Sequence, residues 1–187
     1  SANYLQGGNA TALALASAAP WLRHVLVLRE PVARAVSWLR HMWLKYPTLP
    51  NCLHRHALDH CASSRWFVRG RGYLGGSQYA RFVRAWLRAF PREQFHFVRF
   101  EDLVSEPRAT LDAVTRFLAL PPFEESAFGA AGALANANPR SPSAGHNMSL
   151  GTYRALVDAC RGGAKELHAL TGVDFRWEPI WERELAR

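Results

Sequence analysis

The sequence predicts an α/β fold, a parallel sheet flanked by helices, and three observations carry that expectation. Residues 25–28 form a short continuous apolar run, the pattern of a strand covered on both faces in a parallel sheet. Pro31 follows at the head of a helical pattern, so strand, tight turn and helix come in direct succession. A second strand, residues 95–100, follows another strongly periodic helix that Pro91 stops, so strand and helix alternate.

Taken in order, residues 9–22 read as a helix interrupted at Pro20 that delivers the chain to the first strand. After Pro31, whose fixed φ and missing N–H are harmless at the first helical position, Val32, Val36, Leu39 and Trp43 fall at helical spacing. Pro47 and Pro50 mark a loop. The segment 52–61 holds Cys52, His54, His56, His60 and Cys61, and three readings stand side by side. His56 and His60 at i, i+4 with flanking thiols could bind zinc, although the spacing matches no common structural zinc pattern. A Cys52–Cys61 disulfide and a polar helix with two free thiols are the others. Residues 70–76, rich in glycine with no buried strand leading in, read as a flexible loop.

Ser77 is placed to cap the next helix. Tyr79, Phe82, Val83, Trp86, Leu87 and Phe90 make its apolar face, Arg81, Arg84 and Arg88 its other side, and Pro91 stops it. Those arginines are either solvated or face an acidic acceptor. Glu101 and Asp102 end the second strand, where position alone makes them acid–base candidates. Pro107 opens a helix with Leu111, Val114, Phe117 and Leu118 inward, and residues 129–145 read as a long surface loop of the kind that serves as lid or binding element. Residues 150–170 form a last amphipathic helix built on Tyr153, Leu156, Val157, Cys160, Leu167 and Leu170. Gly162-Gly163 weakens its middle, Gly172 ends it, and Phe175 and Trp177 return to the core.

At 187 residues the chain is the size of one domain. No window reaches the 18 or more apolar residues of a membrane span, and the Ala-rich segment 11–19 is too short and lacks the basic flank of a signal peptide. The net charge of +8 comes almost wholly from arginine, since lysine occurs only at positions 45 and 165. Such a surface attracts acidic glycans, anionic nucleotides or nucleic acid, unless the charges are simply spread over solvated faces. No aromatic–basic motif of the usual RNA or DNA modules appears. Three cysteines make no disulfide framework, and two N-glycosylation sequons, at Asn9 and Asn147, are compatible with a secretory compartment.

In an open α/β sheet, ligands gather at the carboxyl ends of strands, where helix N-termini offer N–H groups to anions. Arg29 lies at that spot, and Ser37 follows about 9 Å up the helix axis at 1.5 Å per residue. An arginine fork and a hydroxyl suit a phosphate. The stretch from Arg29 through Pro31 and Arg34 to Ser37 resembles the Arg-x-Pro-x-x-Arg-x-x-Ser signature of sulfotransferases that use 3′-phosphoadenosine 5′-phosphosulfate, and the resemblance extends over nearly the whole chain. Residues 1–5 resemble the segment before the first strand in carbohydrate sulfotransferases, nearest to the heparan sulfate N-sulfotransferase domain. Tyr79, Trp86, Leu87, Phe90 and Pro91, then residues 97–103 with their Glu-Asp-Leu corner, then residues 117–120, resemble the downstream helix, strand and helix end in the same order.

The resemblance implies a sheet of the P-loop nucleotide-hydrolase type and transfer of a sulfuryl group from that donor to a hydroxyl or amine, on a carbohydrate such as a glycosaminoglycan, with no metal. It assigns the donor's 3′-phosphate to Arg29 and Ser37, makes the Glu-Asp-Leu corner chiefly structural, and treats residues 52–61 as a variable insertion. In family members a Gly/Lys/Arg-rich loop near residues 129–145 closes over the nucleotide; here only Arg140 and His146 could supply positive charge or donors. The family's remaining essentials, the 5′-phosphosulfate loop with its lysine and an acidic catalytic base, precede the segment that Ser1 opens, and no Gly-x-x-x-x-Gly-Lys-Ser/Thr loop occurs in the chain. Residues 1–187 are therefore expected to be the C-terminal two-thirds of one sulfotransferase domain, missing its N-terminal strand and phosphate loop, inactive alone, from a Golgi-lumenal parent with or without a membrane anchor. The alternative is a non-catalytic basic module that binds polyanions such as acidic glycans.

Overall fold

The computed structural model describes residues 5–45, 59, 62, 65–69, 74–124, 126 and 148–187. In chain order its elements are α1 (Gly8–Ala18), β1 (His24–Leu28), α2 (Pro31–Lys45), α3 (Arg65–Arg69), a 3-10 turn (Leu74–Ser77), α4 (Tyr79–Leu87), a second 3-10 turn (Arg92–Gln94), β2 (Phe95–Arg99), α5 (Phe100–Ser105), α6 (Pro107–Leu118), α7 (Leu150–Thr171) and α8 (Glu178–Leu185). The architecture is α/β, helix-rich with a small parallel sheet, as expected. The chain divides into two compact units, Trp21–Arg29 with Glu93–Ala144, and Ser1–Pro20 with Glu30–Arg92 and Gly145–Arg187.

The first unit holds the sheet. β1 and β2 pair in parallel, His24 opposite Phe95 through to Leu28 opposite Arg99. Phe95, Phe97 and Val98 are buried, α5 and α6 pack against β2, and Phe117 of α6 stacks on His96 with ring centroids 5.2 Å apart. Arg23 donates to the Phe117 carbonyl and lies over the same ring, which ties the entry to β1 to the end of α6. β1 is less covered than its apolar run suggests: only Leu28 is buried, and Val27 is 48% exposed. An unbroken apolar run shows that a strand can be covered on both faces; the cover itself depends on neighbours that a local pattern does not contain. The same holds for α6, where Leu111, Val114, Phe117 and Leu118 are half-buried and Thr115 is the buried residue. Ala119 closes that helix in the left-handed conformation, φ 56°.

The second unit is built around α4. Tyr79, Phe82, Val83, Trp86 and Phe90 are all buried, and α1 and α7 pack against the helix that carries them. The Trp86 indole donates to the Leu5 carbonyl at 3.1 Å, so a core aromatic keeps its one polar atom satisfied. α7 presents Tyr153, Leu156, Val157, Cys160 and Leu167 inward and runs through Gly162-Gly163 unbroken. A Cβ at Gly163 would stand 2.8 Å from Gln78 Oε1, the end of a flexible side chain whose amide donates to the Ala159 carbonyl at 3.2 Å, so a larger residue there would shift only that side chain. Gly172 ends α7 at φ 70°, its N–H donating to the His168 carbonyl, as the sequence indicated. At the other end Ser149 caps α7 by accepting from the Thr152 N–H, and Asp59 accepts from both the N–H and the hydroxyl of Ser149. Hydrogen bonds from Thr152 and then Ser149 hold the Asp59 carboxyl below its ordinary range.

Two expectations are corrected here. Ser77 does not cap α4; Gln78 occupies the cap position without a side-chain bond, and Ser77 is buried in the 3-10 turn. Leu74, Gly76 and Ser77 are buried too, so this end of the glycine-rich stretch is packed structure rather than a flexible loop. Glycine composition signals backbone freedom, but here small residues admit the turn beside α2 and α3, the helices it contacts. Residues 70–73 lie outside the described residues.

Candidate functional site

The signature from Arg29 to Ser37 spans the turn from β1 into α2, and its acidic residue is the most constrained. Glu30 is 2% exposed. Its carboxylate accepts from the Val32 N–H at 2.7 Å, the Ala33 N–H at 2.6 Å and the Trp181 indole N–H at 2.7 Å. Glu30 is thus the N-cap of α2, and it also anchors α8. Burying a carboxylate is costly unless donors converge on it, and three do.

This geometry settles what the start of α2 offers an anion. Pro31 has no N–H, Val32 and Ala33 give theirs to Glu30, and the Arg34 N–H donates to the Glu30 carbonyl at 2.9 Å. The first-turn donors that an open helix N-terminus would present are consumed within the chain. A phosphate in this region must therefore be held by side chains rather than by the helix end.

Arg29, directly after Leu28 of β1, is half-buried, with its guanidinium 4.9 Å over the Phe100 ring. The parallel register explains that contact, because Leu28 opposite Arg99 puts the next residues, Arg29 and Phe100, side by side at the strand ends. Stacking holds the plane of the guanidinium fork against the ring. Ser37 is exposed on α2, whose Val32, Ala35, Val36 and Leu39 are buried on the other side. Arg34, the second arginine of the signature, donates to the Ser77 hydroxyl at 3.1 Å and so ties α2 to the 3-10 turn. Arg29 and Ser37 belong to different compact units, and each is placed within its own.

At the end of β2, Arg99 pairs with Asp102 at 2.6 Å and with Glu101 at 3.5 Å. The two carboxylates thus sit in an ion-pair corner of the kind that shapes a strand end. Arg140, His146, Cys52 and Cys61 lie outside the described residues, and so do His54, His56 and His60. Among the described residues, no group of three His, Cys, Asp or Glu side chains could hold a metal, and no helix is long and apolar enough to cross a membrane.

Sequence reasoning missed Glu30, Trp181 and α8 altogether. A signal for Glu30 was present: an acidic residue immediately before a proline that begins a helix is well placed to cap it. Trp181 had none, since it meets Glu30 across 151 positions of sequence. Phe100 could have been inferred from strand register alone.

Glu30 also acts on two neighbours. Burial first, then the Glu30 charge, pushes the Cys160 thiol from its ordinary 9.0 up to about 12, and the same two causes raise the Tyr153 phenol. Between pH 9 and about 12 the unfolded thiol has lost its proton while the native one keeps it. The contribution is therefore full below pH 9 and falls as pH rises through that window. Native Cys160 should resist iodoacetamide at pH 8 and react once the chain is denatured, as peptide mass mapping of labelled protein would show.

With this geometry in view, the chain was compared with known proteins. The sequence model of a family described as "Sulfotransferase domain" matches residues 12–129. The bifunctional heparan sulfate N-deacetylase/N-sulfotransferase 1 of Caenorhabditis briggsae is 28% identical over 131 residues, covering 66% of this chain and 15% of that protein. Heparan sulfate glucosamine 3-O-sulfotransferase 6 of Homo sapiens is 36% identical over 104 residues, 54% of this chain and 29% of its own length. The chain thus spans well under a third of either relative. The crystal structure of a sulfotransferase from Alicyclobacillus acidocaldarius matches with a TM-score of 0.67 and 21% identity, over 92% of this chain and 62% of the other, a likeness of fold.

Proposed function

We propose a function from one premise: the chain belongs to the sulfotransferase domain family, whose model matches residues 12–129. Its activity is transfer of a sulfuryl group from 3′-phosphoadenosine 5′-phosphosulfate to a hydroxyl or amine of a carbohydrate. The observation that carries this is the complete Arg29, Pro31, Arg34, Ser37 signature, lying within the matched residues. Arg29 and Ser37 hold the 3′-phosphate, the guanidinium through its fork and the hydroxyl by donating. Stacking on Phe100 supports that role for Arg29, exposure supports it for Ser37, and the consumed N–H groups of α2 leave the task to side chains. Arg140 and His146 are the further donors that the family resemblance alone offers the nucleotide.

Transfer is an in-line displacement. The bond from sulfur to the leaving phosphate oxygen breaks as the bond to the acceptor oxygen or nitrogen forms, and a base takes the acceptor proton. Positioning and charge stabilisation supply much of the rate. No Gly-x-x-x-x-Gly-Lys-Ser/Thr loop occurs in the 187 residues, and none of them is assigned as catalytic base. The 187 residues alone are accordingly expected to transfer no sulfuryl group; measurable sulfation by them would reverse that. A glycosaminoglycan acceptor is supported by relatives described as heparan sulfate sulfotransferases and by the net charge of +8, which would draw in an acidic glycan; a Golgi-lumenal location rests on the family resemblance alone.

A second reading, a non-catalytic module that docks polyanions, is favoured by the same net charge of +8. Thermal melts separate the two. A donor site predicts that adenosine 3′,5′-bisphosphate raises the melting temperature more than adenosine 5′-phosphate does. A polyanion module predicts that both nucleotides and any polyanion act alike, with affinity falling steeply as salt rises.

A further inference from the structure

Glu30 and Trp181 lie outside the groups assigned to the nucleotide, yet they are joined to the start of the helix that carries Ser37. We propose that the Glu30 carboxylate, held by the Trp181 indole, is a positioning residue that sets the rotation of α2 and thereby aims Ser37 at the 3′-phosphate. The proposal rests on the donor-site reading above and deepens it.

The buried face of α2 is made of Val32, Ala35, Val36 and Leu39, and apolar burial is non-directional. Contacts of that kind resist separation well and a small rotation of the helix about its axis poorly. Hydrogen bonds are directional, and the carboxylate takes two consecutive first-turn N–H groups at 2.7 and 2.6 Å. A carboxylate free to rotate would fix nothing. The third bond, from the Trp181 indole at 2.7 Å, locks it to a tryptophan that is 1% exposed on α8. The Arg34 bond to buried Ser77 adds a second directional tie one turn further along. Ser37, exposed and seven residues after Glu30, takes its direction from that frame. The C-terminal helix is then part of the donor site's support although none of its residues is assigned to the nucleotide.

The test compares adenosine 3′,5′-bisphosphate with adenosine 5′-phosphate, which differ only in the 3′-phosphate. Calorimetric affinities are measured on the full chain and on Glu30→Gln, Trp181→Phe and Arg29→Ala, each at a temperature where circular dichroism shows it fully folded. Trp181→Phe keeps a buried aromatic while removing the indole N–H and part of the ring's volume, so it serves if Glu30→Gln does not fold. Expected is that the preference for the bisphosphate falls about tenfold in both positioning variants, as small misplacement of a contact group can do, while affinity for the monophosphate is unchanged. A merely structural role would lower the melting temperature and leave the preference intact. If the preference collapses in Arg29→Ala and persists in folded Trp181→Phe or Glu30→Gln, the positioning role is overturned and the donor site stands. If Arg29→Ala also keeps the preference, or the unaltered chain has none, the donor-site reading fails and the positioning role fails with it.

Discussion

Arg29→Ala is expected to weaken binding of adenosine 3′,5′-bisphosphate about 100-fold, the equivalent of roughly 2.7 kcal/mol. The size follows from the kind of bond. A guanidinium meeting a phosphate makes charge-assisted hydrogen bonds, often two in parallel, and these are about twice as strong as neutral ones. Stacking on Phe100 is itself worth about 0.5–1 kcal/mol, so circular dichroism of the variant separates loss of fold from loss of binding. Arg29→Lys separates charge from shape: it keeps the cation and loses the planar fork, so it should recover only part of the affinity. Titration calorimetry of the three proteins checks both statements. Equal affinities would mean that the 3′-phosphate is held elsewhere or not at all.

Glu30→Ala is expected to destabilise the chain by about 3 kcal/mol, the largest stability effect foreseen for this region. Removing the carboxylate leaves the Val32 and Ala33 N–H groups and the Trp181 indole without their acceptor in a buried setting. Each orphaned donor costs about 1–3 kcal/mol, partly relieved where water can enter. The melting temperature should fall by roughly 6–12 °C, at about 2–4 °C per kcal/mol for a chain of this size. Glu30→Gln should fall between, because the amide oxygen can still accept while its nitrogen faces an N–H. Urea denaturation followed by tryptophan fluorescence provides the measurement, and no change in midpoint would mean that the three bonds add nothing net. Because the chain forms two compact units, coincidence of fluorescence and circular dichroism transitions establishes first that one free energy describes the unfolding.

Where local chemistry decides, the residues were sufficient. The apolar run before Pro31, the faces of α4 and α7, and Gly172 at φ 70° each follow from patterns contained in a few turns of chain, and the structure has them in place. The parallel pairing of β1 with β2 was implied by the family resemblance rather than by any local pattern, and the structure has it. Legibility failed where a residue's partner lies far along the sequence. Ser77 has the chemistry of a helix cap and serves instead as acceptor for Arg34, 43 positions away. Val27 belongs to an apolar run and is nonetheless half exposed.

The sequence by itself determined the α/β class, the order of the two strands and of the helices up to α7 that it foresaw, and the signature that runs from Arg29 to Ser37. Only the tertiary structure decided that Glu30 uses up the first N–H groups of α2 and that Trp181 of the last helix completes its shell. The physical reason is that propensity, capping and periodicity act within a turn or two of chain. The partner of a buried charge is chosen by which distant donors the packing brings within hydrogen-bonding distance.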